Sequence, residues 1–320
     1  MYSTPVVTGF SDRLRKPTGF DTQMIITSNK KISKALGIEL IKENGGIPAG
    51  AEVAVASRAF ARNLLSHETP ALRFIQLTSA GFEGIDLGVA KKKGITVCNA
   101  ANVYNVGMAE YVVYGMLSHA KRYHRSIKNH TLRPLRNYHY ISELSGKTVG
   151  ILGAGNIGSQ IAKRLEAFDM HVLGYDLRTD ARPHFEKIYD GGGLAEFLGR
   201  CDYVVNCMPL FPSTEGLLCA KWFLLMKPTV TVVNVGRRKL INDSDFIAFL
   251  KSHKDATAIL DMFEKVPNPF TNPYRRLPNV LVLPGVTAVS QEIDEKLAGL
   301  CREQIKRFNN GEQLLNVISK

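Results

Sequence analysis

Several features common in other protein classes are missing from this 320-residue sequence. No stretch reaches the roughly 18 unbroken apolar residues of a membrane-spanning helix. The opening residues, MYSTPVVTGFSDRLRKPTGFDTQ, lack the continuous apolar core of a signal peptide. They mix acidic with basic residues, which also argues against a transit peptide. They read as an extension of the first domain, and the expected location is cytoplasmic. There are five cysteines, Cys98, Cys201, Cys207, Cys219 and Cys301, and no CxxC pair. No His/Cys spacing suits zinc, so no metal is expected. The thiols read as small hydrophobes in a reducing compartment. No low-complexity linker divides the chain, and no internal repeat is visible. The formal net charge is +12, but the basic residues are scattered, with short clusters at Lys91–Lys93, Arg237–Lys239 and Arg275–Arg276. Without a long basic run or a recognition motif, neither nucleic acid nor membrane is expected as a partner. A small anionic substrate suits the balance.

A 45% hydrophobic content supplies sizeable cores, and the length suggests about two domains. Short apolar runs alternate with longer amphipathic ones. MIITS, EVAVAS, LRFIQLT and ITVCNA read as strands in the first hundred residues. TVGILG, HVLGYD, DYVVNCM, TVTVVNV, ATAILDM and NVLVL follow. SQIAKRLEAF and SDFIAFLKSH read as helices between them, the second capped by Asp243 or Ser244. Such alternation implies doubly wound parallel sheets, an α/β class. The near-continuous apolar run TVTVVNV fits a strand buried on both faces. The longest helical stretch is expected from Asn105 to about Lys128, between two blocks of alternation. The C-terminal helix EIDEKLAGLCREQIKRF is placed to return to the first block.

The strongest motif is Gly153-Ala-Gly155-Asn156-Ile157-Gly158, directly after a strand and before a helix. Glycines there permit a tight turn, close backbone approach to a pyrophosphate and close helix–strand packing. The helix N-terminus then offers N–H groups and a positive dipole end to phosphates. HVLGYD supplies Asp176, a carboxylate at the expected distance to accept from a ribose 2′-hydroxyl. It favours NAD(H) over NADP(H), with Arg178 a counter-signal.

With these blocks in view, the chain resembles the D-isomer-specific 2-hydroxyacid dehydrogenases from about Met24 to its end. LTSAGFEGIDLGVAKKKGITVCNAANV, ELSGKTVGILGAGNIG, VVNCMPLFPSTEGLL and VVNVGRRKLIND carry the likeness in order. The resemblance implies two Rossmann-like domains, with the cofactor domain inserted into the substrate domain. The substrate domain, flavodoxin-like, would be 1–102 with 288–320, and the NAD-binding domain 103–287. The helix from Asn105 would cross between them and help form a homodimer. By the same likeness, the backbone of Ser79, Ala80 and Gly81 would hold a substrate carboxylate. Cys207, Pro209 and Thr214 would line the cofactor. Asp261 and the backbone of Val235 would hold its amide, and Arg237 would be the catalytic arginine. A planar guanidinium grips a carboxylate and an adjacent carbonyl oxygen better than lysine does.

The chain departs from the family pattern at three places. Arg238 replaces the glycine that follows the arginine and enlarges the basic substrate side. Val266 stands where the family has a glutamate, and Gly285, in LVLPGVTAVS, stands where it has the catalytic histidine. The glutamate supports the charged imidazole, and without its partner it would be a costly buried charge. None of the eight histidines follows His253, so none replaces the missing one in sequence. The expectation is an NAD(H)-dependent oxidoreductase acting on a small anionic 2-keto or 2-hydroxy acid, or an imine-like analogue. Its proton donor is altered: Glu264, Lys239 and Tyr104 are the candidate replacements, with Tyr274 a fourth. The alternative is an NAD(H)-binding sensor or scaffold without catalysis. Restoring Gly285→His with Val266→Glu is expected to raise reduction of simple 2-keto acids.

Overall fold

A computed structural model describes residues 24–43, 45–122, 141–261, 272–283 and 285–319. They fall into two compact units, residues 1–100 with 292–320, and residues 101–291.

The first unit holds β1 (Met24–Thr27), α1 (Lys30–Leu36), β2 (Glu39–Leu40), β3 (Ala51–Ala56), α2 (Arg58–Ser66), β4 (Phe74–Leu77), α3 (Leu87–Lys92) and β5 (Thr96–Cys98). Its sheet runs β2-β1-β3-β4-β5, all parallel. A side-chain cap and a left-handed glycine close its first helix. The Asn29 side chain accepts from the Lys31 and Ile32 N–H groups, and Gly37 ends α1 at φ +67°.

The C-terminal helix, Ile293–Asn309, belongs to this unit. Gln304 is fully buried. Its amide donates to Gln76 Oε1 (3.0 Å) and to the Leu315 carbonyl (2.7 Å), and its oxygen accepts from the Leu315 N–H (2.9 Å). Burying that amide costs little because every bond is replaced. Beyond the helix, Ile318 N–H donates to the Val97 carbonyl and Ser319 Oγ accepts from the Val97 N–H, which covers the β5 edge.

The second unit contains α4 (Asn105–Ala120), β6 (Thr148–Leu152), α5 (Asn156–Glu166), β7 (His171–Tyr175), β8 (Lys187–Tyr189), α6 (Leu194–Arg200), β9 (Tyr203–Asn206), α7 (Ala220–Phe223), β10 (Thr231–Asn234), α8 (Asp243–Ser252), β11 (Thr257–Leu260) and β12 (Val280–Val282). The C-terminal helix of the first unit is α9. The parallel sheet order is β12-β11-β10-β9-β6-β7-β8. Successive strand residues feed opposite cores. Val204 and Val232 pack with Phe197, Phe246 and Leu250, whereas Val205 and Val233 pack with Val112, Met116 and Ile161. Period-two alternation between two apolar layers makes the run read as continuously hydrophobic.

Three local expectations need correction. The α8 cap is Asn242, whose side chain accepts from the Asp245 N–H (3.2 Å), rather than Asp243 or Ser244. The helix from Asn105 ends at Ala120 rather than near Lys128, and Arg122 follows at φ +54°. Strands β2 and β8 were not expected: they are edge strands of two and three residues with no apolar run. Among the described residues no helix is long and apolar enough to cross a membrane, and no group of three or more His, Cys, Asp or Glu is placed to hold a metal. All five cysteines are free.

Candidate functional site

In the second unit, β6 is flanked by β7 on one side and β9 on the other. The chain leaves β6 toward one side and returns on the other, so the carboxyl ends of β6 and β9 border a topological switch point. Open parallel sheets bind ligands at such a crevice.

The expected glycine turn lies there. Gly153 adopts φ +95°, and its N–H donates to the Tyr175 carbonyl (2.9 Å). A Cβ at Gly158 would overlap the Gly153 carbonyl oxygen, so only glycine lets α5 start this close to β6. At Gly155 the situation is reversed: an added Cβ would find nothing within 4 Å. Gly155 is the N-cap of α5 and makes no side-chain capping bond. The first-turn N–H groups, including those of Asn156 and Ile157, have no intrahelical acceptor. Tight packing beneath the turn and open space above it fit a pyrophosphate held on backbone N–H groups.

Asp176 follows β7. Its Oδ1 accepts from the Arg178 N–H (3.2 Å), and its Oδ2 lies 3.4 Å from Arg182 Nη1. Arg182 also donates to the Ala154 carbonyl and to the Arg178 carbonyl (3.0 Å). The Asp180 carboxylate, and then the Asp176 charge, hold its guanidinium above the ordinary range. Arg182 therefore ties Asp176 to the glycine turn. The sequence reading did not single it out, because an arginine six residues after the acid carries no signature of its own.

The cysteine after β9 closes the turn from the other side. Cys207 Sγ donates to the Gly153 carbonyl (3.1 Å). Burial pushes this thiol up to about 12, with the Asp176 charge adding to the effect, so it stays protonated and unreactive at neutral pH. Pro209 and Thr214 belong to the next loop. The Thr214 hydroxyl accepts from the Phe211 N–H (2.8 Å) and lies 3.1 Å from the Pro209 carbonyl, so it closes its own loop.

The arginine block follows β10. Val235 is buried, and its N–H donates to the Asn206 carbonyl (3.1 Å). Arg237 is partly buried at the start of a short 3-10 turn, Arg238–Leu240. Arg238 Nε donates to Asp243 Oδ2 (2.9 Å), and Tyr274 Oη donates to Asp243 Oδ1 (2.7 Å). Burial raises the Tyr274 phenol, and Asp243 raises it further. The geometry thus commits Arg238 to a staple within the fold and keeps the protonated Tyr274 hydroxyl donating to Asp243. Lys239 is exposed and pairs with Glu215 at 3.4 Å. Tyr104 is the N-cap residue of α4. Glu264 and Val266 lie outside the described residues.

The loop containing Gly285 is held by Asp261, which is only 3% exposed. Its Oδ1 accepts from the Gly285 N–H (2.9 Å), and its Oδ2 accepts from the Thr287 N–H (3.2 Å). Gly285 has φ +75°. Space is not the constraint, since the nearest atom to an added Cβ is the Asp261 carbonyl at 3.8 Å. The constraint is the left-handed backbone, which costs any L-residue about 1–2 kcal/mol. A histidine placed here would carry that cost, which residue type alone did not reveal.

In the first unit, the chain leaves β4 through Ser79, Ala80 and Gly81. Ser79 Oγ donates to the Gly81 carbonyl (2.7 Å), and Asn99 Nδ2 donates to the Ala80 carbonyl (2.7 Å). The Ser79 carbonyl accepts from the Ala100 N–H (3.0 Å). Every carbonyl of the tripeptide is thereby taken by a donor, which suits a loop that presents N–H groups to an anion.

A parallel sheet with a glycine turn at its switch point and an acid after the next strand defines a dinucleotide-binding unit. The sequence profile of the D-isomer specific 2-hydroxyacid dehydrogenase NAD-binding domain matches residues 111–286. A D-3-phosphoglycerate dehydrogenase of Methanocaldococcus jannaschii is 31% identical over 256 residues, covering 78% of this chain and 48% of that protein. A glyoxylate reductase of Korarchaeum cryptofilum is 30% identical over 260 residues, covering 78% of this chain and 77% of its own length. Among solved structures, the NADPH-dependent glyoxylate/hydroxypyruvate reductase of Sinorhizobium meliloti, in complex with NADP and sulfate, superposes with a TM-score of 0.77 at 27% identity. It covers 93% of this chain and 98% of that one. The chain belongs to the D-isomer specific 2-hydroxyacid dehydrogenase family, and it spans about half the length of the archaeal phosphoglycerate dehydrogenases it matches.

Proposed function

We propose that this protein is a nicotinamide-dependent oxidoreductase that transfers a hydride to or from a small anionic 2-keto or 2-hydroxy acid, or an imine-like analogue. The observation that carries the reading is the pairing, within one sheet, of an open glycine turn after β6 with Arg237 after β10. The bound dinucleotide supplies or accepts the hydride. The N–H groups of Gly155, Asn156 and Ile157 hold its phosphates, and Asp176 holds a ribose hydroxyl. Asp261 and the Val235 carbonyl orient its carboxamide. Asp261 has lone pairs for this beyond the two loop N–H groups it already accepts. Arg237 grips the substrate carboxylate and draws charge from the carbonyl oxygen. In the first unit, the Ser79–Gly81 backbone holds a carboxylate. Gly285 offers no imidazole, so the proton comes from another group, such as Glu264 or Tyr104, or is not needed for an activated acceptor. Lys239 is weaker in this role because it is committed to Glu215. A cytoplasmic homodimer completes the proposal, and light scattering of the purified protein tests the dimer.

The test is NADH binding by fluorescence titration, followed by NADH consumption against glyoxylate, other 2-keto acids and imines. Glyoxylate comes first because two of the relatives above are named as reductases of it. Binding with turnover establishes the oxidoreductase. Binding without turnover of any panel member favours the second reading, a cofactor-binding sensor or scaffold, for which the left-handed Gly285 is the supporting observation.

Cofactor choice turns on the Asp176–Arg182 pair. We propose NAD(H) as the preferred cofactor because Asp176 repels a 2′-phosphate, with Arg182 moderating that repulsion. Asp176→Ala leaves the Arg182 guanidinium without that acid. The ratio of NADPH to NADH affinity is expected to rise by about tenfold or more. Parallel titrations with both cofactors check it, and an unchanged ratio would remove Asp176 as the selector.

Gly285→His is expected to lower stability by about 1–2 kcal/mol through its left-handed backbone, seen as a Tm lower by about 2–8 °C. Combined with Val266→Glu, it is expected to raise 2-keto acid reduction by about 10²-fold or more, the usual worth of a placed general acid. A folded, NADH-binding double variant with no gain shows that the acid pair is not what limits the reaction.

A further inference from the structure

Two buried asparagines stand side by side at the carboxyl ends of neighbouring strands. Asn206 ends β9, Asn234 ends β10, and they are register partners. Their exposures are 0% and 3%. Asn206 Nδ2 donates to Asn234 Oδ1 at 2.8 Å. Asn234 Oδ1 also accepts from the Gly236 N–H (3.1 Å), and Asn206 Oδ1 accepts from the Met208 N–H (3.1 Å). Each amide closes the turn that leaves its own strand, an Asx turn, and one side-chain bond ties the two turns together. Buried amides are costly unless bonded, and apolar residues would fill the same space without that requirement. The pair is therefore explained by the directions of its bonds rather than by packing.

The two turns lead to the two halves of the site. The first runs into Met208, whose backbone N and Cα lie 3.2 and 3.3 Å from a Cβ placed on Gly153. Between them, Cys207 bonds the Gly153 carbonyl. The second turn ends at Gly236, directly before Arg237. A Cβ on Gly236 would lie 2.9 Å from Asn206 Nδ2 and 3.0 Å from the Met208 carbonyl. A continuous chain of contacts thus runs from the phosphate turn through Met208, Asn206 and Asn234 to the arginine. Coupling of this kind requires a contiguous network and has to be demonstrated by perturbing it.

We infer that Asn206 and Asn234 are positioning residues that hold the Arg237 turn in register with the cofactor turn. The inference rests on the reading of Arg237 as the substrate-gripping arginine. Neither asparagine touches the reacting atoms. The bond from Asn206 Nδ2 to Asn234 Oδ1 is the part that matters, and its direction gives the test.

Asn206→Asp keeps the acceptor for the Met208 N–H but sets an oxygen against Asn234 Oδ1. Asn234 then either faces that oxygen or flips its amide and loses the Gly236 N–H. Either outcome releases the Arg237 turn. Asn234→Asp keeps both acceptor roles. The two variants have the same shape and both bury a carboxylate, so a packing role predicts no difference between them. Each is purified as the full chain and measured three ways. NADH affinity is titrated by fluorescence, oxamate binding is titrated in the NADH complex, and the rate of phenylglyoxal modification at Arg237 is followed by peptide mass mapping, with Arg182 as internal control.

Asn206→Asp is expected to change the Arg237 modification rate and to weaken oxamate binding by about tenfold or more, the scale of a buried hydrogen bond left unsatisfied. NADH affinity and the Arg182 rate stay within about threefold, less than the worth of one buried hydrogen bond. Asn234→Asp is expected to match the wild type in all three. If Asn206→Asp does not fold, Asn206→Ser keeps an acceptor near the Met208 N–H, is too short to reach Asn234, and is expected to show the same pattern. Equal effects in the Asn206 and Asn234 variants, or an unchanged Arg237 rate in Asn206→Asp and Asn206→Ser, overturn the inference. A wild-type protein that binds neither NADH nor oxamate refutes the proposed function instead, and the Arg237 modification rates still decide the positioning role.

Discussion

Gly155→Ala is expected to weaken NADH binding strongly while leaving Tm unchanged, whereas Gly158→Ala is expected to lose both binding and stability. The two glycines lie three residues apart in one motif, but they are needed for different reasons. Gly155 adopts φ −74°, ψ −157°, which alanine also tolerates, and an added methyl meets nothing within 4 Å. The methyl instead fills space over the helix N-terminus that a pyrophosphate needs. NADH affinity is expected to fall by at least about thirtyfold, a loss of roughly 2 kcal/mol. At Gly158 the methyl overlaps the Gly153 carbonyl, a backbone atom held by the Cys207 thiol. No rotamer relieves that overlap, so α5 must move away from β6. Overpacking of this kind costs about 1–3 kcal/mol and distorts the turn as well. Calorimetry and fluorescence titration on the two variants separate the effects. Retained NADH binding in Gly155→Ala would show that no phosphate approaches the turn there.

Asp261→Ala is expected to destabilise the Gly285 loop and lower Tm. Removing the carboxylate leaves the Gly285 and Thr287 N–H groups without their acceptor, and Thr287 is buried to 2% exposure. Gly285 is exposed, so its N–H can turn to water, but the buried Thr287 N–H left unsatisfied costs about 1–3 kcal/mol, which in a unit of this size lowers Tm by roughly 2–12 °C. Asp261→Asn is expected to fall about halfway, since a carboxamide offers one accepting oxygen where the carboxylate offers two. If Asp261 also holds the nicotinamide carboxamide, Asp261→Asn weakens NADH binding beyond what the Tm change explains. A thermal melt with and without saturating NADH measures both. An Asp261→Ala protein with wild-type Tm would mean the loop finds other acceptors, and the carboxylate would then serve the cofactor alone.

Much of the fold was legible from residue type. Strands β3, β4, β6, β9, β10 and β11 announced themselves because burial on both faces demands a continuous apolar run. The edge strands β2 and β8 did not, because two or three residues at a sheet margin need neither burial nor alternation. The α8 cap, Asn242, lies one or two residues before the expected Asp243 or Ser244: in the run Asn242-Asp243-Ser244 every side chain is a competent cap, and only the helix register chooses among them. At the site, the glycine turn and Asp176 were found because backbone approach and charge select residue types at set spacings. Arg238 looked like an added substrate cation, and its guanidinium turned out to be stapled to Asp243.

The sequence by itself determined the alternation of the buried strands with helices, the place of the glycine turn and the acid that follows it. Those features depend on local backbone geometry and on period, and both are written into neighbouring residues. Only the tertiary structure decided that Arg182 lies on Asp176, that Asn206 bonds Asn234 across two strands, and that Asp261 holds Gly285 in the left-handed region. These pairs are set by which strands are adjacent and in what register. A polar side chain carries no mark of the partner that folding brings to it.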